Sequence, residues 1–167
     1  MSRRTLAPLL FAPFFLLAIS AVAEELCTVT YVIDGDTITC QCDGEAIRVR
    51  LAGIDAPEKS FQGRPGQPFA EKARMYLESL VLDRQVRVER LGNDRYGRVL
   101  GTVYLNNQDV NLEMIRQEYT QVYRGENVSD VRAYWEAEAE AQAKKLNIWS
   151  REDYVSPMEW RRSHPWQ

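Results

Sequence analysis

Histidine is almost absent from this chain, which has one, His164, close to the C-terminus. A mechanism that needs a histidine pair or a histidine-based metal motif is thereby excluded, and any chemistry falls to carboxylates, arginines and water. Cysteine is scarce as well. Cys27, Cys40 and Cys42 show no pair-of-pairs spacing, which argues against a structural zinc site. Positive charge is in deficit, with 21 Lys and Arg against 24 Asp and Glu. A polyanionic partner is attracted mainly by lysine and arginine, so one could be held here only by local positive charge or by a metal.

What the chain does have is enough apolar residue for a core. Its 167 residues are 45% hydrophobic and 10% aromatic, the size and make-up of one ordinary domain. Residues 1–23 stand apart, because Arg3 and Arg4 precede an apolar stretch from Leu6 to Ile19, followed by Ala21-Val22-Ala23. That is the pattern of a signal peptide cut after Ala23. A retained anchor fits less well, since the stretch is shorter than the roughly 20 residues that cross a bilayer and contains Pro8 and Pro13. The paired arginines leave twin-arginine export as a minor alternative to the general route. The expectation is an exported protein, periplasmic or secreted, with no membrane attachment after cleavage. Removing two arginines and no acid takes the net charge from −3 to about −5. Export also places the cysteines where disulfides persist.

The remaining chain divides into residues 24–150 as one domain and 151–167 as a C-terminal tail. Cys27–Ile33 and Asp36–Gln41 are rich in β-branched residues on either side of an Asp-Gly turn, a hairpin signal. Such a hairpin sets Cys27 opposite position 42 or 43. Cys27–Cys42 is therefore the preferred disulfide, with Cys27–Cys40 as the alternative. At 46–53, Ile47, Val49 and Leu51 alternate with Arg48 and Arg50, which share the polar face. Residues 59–68 carry Gly63, Pro65, Gly66 and Pro68, the composition of an exposed loop beside the active face. A helix is expected from Pro68 to about Leu82, with Phe69, Ala73, Tyr76, Leu77, Leu80 and Val81 along its apolar stripe. Strands follow at 85–91 and 98–105, then helices at 110–118 and 129–146, the last capped by Ser129. Three strands, a helix, two strands and two helices make an α+β fold, a five-stranded OB-fold barrel with three helices.

Candidate chemistry concentrates in three segments: Asp34-Gly35-Asp36-Thr37, the run from Arg50 to Asp55-Ala56-Pro57-Glu58, and Asp94-Arg95-Tyr96-Gly97-Arg98. Each alone has a plain explanation as a turn or a solvated strand end. Jointly they place three carboxylates, Asp36, Asp55 and Glu58, and two arginines, Arg50 and Arg98, at strand ends of one small barrel.

In this combination and order the segments resemble the staphylococcal nuclease (thermonuclease) family. The likeness runs from about residue 27 to 150 and includes Val110-Asn111, Arg116-Gln117 and Leu146-Asn147-Ile148-Trp149-Ser150. The resemblance implies that Asp36 and Asp55 ligate Ca²⁺, a hard, oxygen-seeking cation, with the backbone carbonyl of Ala56 as third ligand and Asp34 acting through water. It implies that Glu58 orients or deprotonates the attacking water, and that Arg50 and Arg98 grip the scissile phosphate. Arg95 and Tyr96 match substrate-contacting positions, and Tyr123 is a stacking candidate. The implied reaction is cleavage of DNA or RNA to 3′-phosphate ends by a monomer. A noncatalytic OB-fold module that binds nucleic acid or protein is the rival, disfavoured because every chemical position is kept.

The chain departs from the family's pattern in places. Ala56 replaces a threonine, which leaves a carbonyl ligand intact. Glu118 stands where a glycine often ends the second helix. A left-handed cap there would cost about 1 kcal/mol, so a differently built helix end is expected. In the tail, Trp160, Arg161, Arg162 and Trp166 could stack on single strands, but packing of the tryptophans on the barrel is the favoured reading. Trp135 and Trp149 are likewise expected in the core.

Overall fold

A computed structural model describes residues 24–125 and 132–165. The proposed leader, the proposed cap Ser129 and Trp166 lie outside the described residues. Five strands form the barrel: β1 (Glu24–Asp34), β2 (Thr37–Cys42), β3 (Glu45–Leu51), β4 (Gln85–Asn93) and β5 (Val99–Leu105). Antiparallel pairing links β3 to β2, β2 to β1, β1 to β4 and β4 to β5, and β3 then runs parallel to β5 and closes the barrel. The first strand starts three residues earlier than its composition indicates, because Glu24–Thr28 pairs with Glu89–Gln85 as well as continuing the hairpin. Alternation holds where it matters: Val49 and Leu51 point into the core while Arg48 stays exposed.

Hairpin register sets Cys27 opposite Cys42, and the two are joined by a disulfide. Cys40, buried two residues along, is a free thiol whose proton is held up to about 12 by burial and by the nearby Glu25. A cross-link spanning 15 residues stabilises the fold by about 3 kcal/mol, chiefly through the unfolded chain. Glu25 lies near both bridged sulfurs. Oxidised to a disulfide, these are not thiolates, so the group is no metal site.

Helix α1 (Ala70–Val81) buries Ala70, Ala73, Leu77 and Val81 against the barrel. It starts two residues later than expected, because Phe69 takes a left-handed conformation, φ 70°, at its N-cap. Helix α2 (Val110–Arg116) is capped by Asp109 and sends Asn111 inward. The Asn111 amide donates to the carbonyls of Ala52 and Gly101 and accepts from the Val103 N–H, tying the end of β3 to β5. Helix α3 (Arg132–Lys144) packs Tyr134, Ala137, Glu138 and Ala141 beneath it. Two short strands, Ile54–Asp55 and Gln121–Val122, pair beside the barrel and fix where the chain after β3 can run. No helix among the described residues is long and apolar enough to cross a membrane.

Four expectations need correction. A fourth helix, α4 (Pro157–Ser163), folds from the tail. Trp135 is exposed, with the Arg124 guanidinium 4.3 Å over its ring, and not in the core. Glu118 does adopt the left-handed cap, φ 61°, and its N–H donates to the Ile115 carbonyl. Finally, the glycine- and proline-rich loop at 59–68 is not uniformly exposed, since Arg64 and Gln67 are buried in it.

Candidate active site

The Asp34-Gly35-Asp36 turn closes the β1–β2 hairpin at one end of the barrel. Gly35 is required there by space: a Cβ would come within 2.8 Å of both the Ala56 and the Ala73 methyl carbons. This close approach seats the turn against the Asp55–Ala56 segment and α1. Asp34 accepts the Asp36 N–H at 3.1 Å, tightening the turn. Asp36 then accepts from the Thr37 hydroxyl at 3.0 Å and from the Ala56 N–H at 2.7 Å. Asp36 and Asp55 are both buried.

Arg50 joins the two carboxylates. One of its nitrogens lies 3.1 Å from Asp36 and 3.3 Å from Asp55, while the other donates to the Leu51 carbonyl at 2.8 Å. Thr37 sits opposite Arg50 across the β2–β3 ladder, so strand register itself brings the turn and the arginine together. Glu58 follows on the loop. Its N–H donates to the Gln67 side chain at 2.8 Å and its carbonyl accepts the Gln67 N–H at 2.7 Å. Arg64 pairs with one Glu58 oxygen, and Arg161, from α4, pairs with the other at 2.7 Å. Arg161 also forks onto Asp55, with a nitrogen 3.0 Å from each carboxylate oxygen.

Arg98 enters one residue before β5, beside β3, where Val99 registers with Val49. Its guanidinium pairs with Asp94 at 2.6 Å and not with the carboxylate cluster. Asp94 also accepts the N–H groups of Tyr96 and Arg98, so the Arg-Tyr-Gly-Arg turn is pinned by one side chain. Tyr96 is 69% exposed, with Arg95 and Arg98 within 4.8 and 5.6 Å of its ring centre. Tyr123 is half-buried and its N–H donates to the Gly53 carbonyl at 2.9 Å.

Burial opposes the ionisation of two carboxylates in the site. Burial, and next the charge of Asp36, push the Asp34 carboxyl up to about 7. Burial also raises Asp55, outweighing the hydrogen bond from Arg161 that pulls it down. For Arg161, burial opposes the charge, yet its pairing with Asp55 and Glu58 prevails and its proton is held more tightly than usual. A buried carboxylate whose ionisation is resisted, as at Asp55, is favoured in its charged form by a nearby cation. The available donors are oxygens from Asp36, Asp55 and the Ala56 backbone, a set for a hard divalent ion.

The family described as staphylococcal nuclease homologue matches residues 48–151. The chain belongs to the staphylococcal nuclease family. The match takes in Arg50, Asp55, Glu58 and Arg98. Relatives extend over more of the chain. An uncharacterized endonuclease of Haemophilus influenzae is 38% identical over 162 residues, covering 96% of this chain and 86% of the relative. Protein ParB of Escherichia coli is 37% identical over 174 residues, covering 97% and 95%. A micrococcal nuclease of Shigella flexneri is 34% identical over 161 residues, covering 91% and 89%.

The site thus assembles Asp34, Asp36, Arg50, Asp55, Ala56 and Glu58, while Arg98, Arg95, Tyr96 and Tyr123 stand on the adjoining turns. Sequence reasoning missed Arg64, and it considered Arg161 only as a strand-contacting residue of the tail and not as a partner of Asp55 and Glu58. Arg64 has no spacing signal, being placed by the fold of its loop. Arg161 could have been suspected only from Ser156-Pro157-Met158-Glu159, a capping box with proline at the first helical position, which marks a helix start in the tail.

Proposed function

We propose that this chain is an exported endonuclease that hydrolyses phosphodiester bonds of DNA, RNA or both in a calcium-dependent reaction, leaving 3′-phosphate ends. The observation that carries this reading is the assembly of Asp36 and Asp55 on Arg50 at one end of the barrel, with Glu58 linked to Asp55 through Arg161. Family membership and relatives named endonuclease and micrococcal nuclease support nuclease activity. The disulfide between Cys27 and Cys42 and the pattern of residues 1–23 support export.

Ca²⁺ held by Asp36, Asp55 and the Ala56 carbonyl would neutralise the carboxylates and draw charge from a phosphoryl oxygen. Arg50, and Arg98 from the neighbouring strand, bind the equatorial phosphate oxygens as negative charge builds on them. Glu58 accepts a hydrogen bond from the attacking water and takes its proton as the oxygen–phosphorus bond forms. The P–O5′ bond breaks and O5′ leaves with a proton from solvent. Tyr96 and Arg95 lie exposed on the rim, where they meet the strand on either side of the cut. The protein acts as a monomer and, once the leader is removed, free of the membrane.

End-group analysis of digests of single-stranded DNA, double-stranded DNA and RNA tests this assignment. Internal cleavage with 3′-phosphate and 5′-hydroxyl ends is expected. Products ending in 3′-hydroxyl would overturn the P–O5′ assignment, and binding without cleavage would support a noncatalytic module instead.

A further inference from the structure

The tail returns to the active site across 106 residues of sequence. Three contacts fix its path: Gln67 donates to the Val155 carbonyl at 2.9 Å, Tyr154 donates to Gln121 at 2.8 Å, and the Trp160 indole donates to the Pro65 carbonyl at 3.3 Å. The reciprocal cap between Ser156 and Glu159 then starts α4, in which Arg162 is exposed while Arg161 reaches the carboxylates.

The two arginines on Asp55 differ in kind. Arg50 touches it through a single nitrogen at 3.3 Å, and its side chain is only 12% exposed. Arg161 is 36% exposed and takes both Asp55 oxygens in a bidentate fork, the strongest common geometry for this pair. Its charge therefore occupies the lone pairs that a divalent cation would use, and it can swing to solvent where Arg50 cannot. A guanidinium and a dication on the same buried carboxylate repel one another strongly in so poorly solvated a place.

We propose that Arg161 is a tethered cation that competes with the metal for Asp55, so that metal binding requires α4 to lift its guanidinium off the site. The same movement frees the Glu58 oxygen that Arg161 holds, which couples metal loading to the availability of the base. This inference rests on the assignment of Asp55 as a metal ligand.

Calorimetric titration of Ca²⁺ into the full chain, into Arg161→Gln and into Arg162→Gln tests it, with hydrogen exchange of residues 157–163 in the unsubstituted protein as a second readout. Arg161→Gln should bind Ca²⁺ at least about tenfold more tightly, the least expected from removing a paired charge at a buried carboxylate, with Arg162→Gln unchanged. Ca²⁺ should also speed exchange in α4. Equal or weaker binding by Arg161→Gln, or α4 protection unchanged by Ca²⁺, would overturn the competition while leaving the metal assignment standing if Asp55→Asn abolishes binding. Absence of Ca²⁺ binding to every form would overturn both.

Discussion

Replacing Glu58 with glutamine should lower kcat for nucleic-acid cleavage by about 10²- to 10⁴-fold with little change in KM. The substitution keeps the volume and the acceptor oxygen but removes the charge and the capacity to take a proton. Its backbone stays in place, because both main-chain hydrogen bonds to Gln67 survive. Glutamine leaves Arg64 and Arg161 a neutral partner where each had an ion pair, so denaturant unfolding of the variant is the control that it remains folded under assay. In a folded variant the fall reports on the reacting water and not on site collapse. Steady-state kinetics with a short single-stranded substrate measures it. A loss smaller than about tenfold would show that the water is activated by another group.

Arg50→Gln is expected to lower kcat by about 10²- to 10³-fold, the usual cost of removing one preorganised donor from a developing anion. It should also weaken the fold when metal is withheld. Arg50 is the only contact that touches Asp36 and Asp55 together among the described residues. Its loss removes the ion-pair partner of buried Asp36 and leaves Asp55 to Arg161 alone, and breaking a buried pair in this way typically costs about 3–5 kcal/mol. Ca²⁺ between the same carboxylates should return part of that stability. Denaturant unfolding in EGTA and in Ca²⁺ separates the two effects: stability that recovers with Ca²⁺ while kcat stays low assigns Arg50 to the phosphate as well as to the fold. Recovery of both would reduce Arg50 to a charge balance.

The barrel was legible because strand period and turn chemistry act locally. Val49 and Leu51 declare an inner face, and the Asp-Gly turn sets the register that pairs Cys27 with Cys42. The carboxylates Asp36 and Asp55 were legible as motifs, yet their union depends on Gly35 admitting the Ala56 and Ala73 methyls, a packing fact no periodicity conveys. Glu118 shows local preference losing to tertiary demand. A left-handed turn there lets the Tyr119 N–H reach the Met114 carbonyl and the Glu118 carbonyl receive the Ile148 N–H, and the strain is accepted. Arg64 and Arg161 were illegible for different reasons: Arg64 is aimed at Glu58 by the local fold of its loop, where its backbone pairs with Phe61, whereas Arg161 reaches Glu58 by a path set by neighbours remote in sequence. For Arg161 those neighbours are Gln67, Pro65 and Gln121.

Metal dependence tests the central claim most directly, because it is where the carboxylates and the acidic net charge meet. Cleavage of single-stranded DNA by the full chain should proceed in Ca²⁺, fall at least about 10²-fold in excess EGTA, and return when Ca²⁺ is restored. Equal cutting in EGTA would contradict the account.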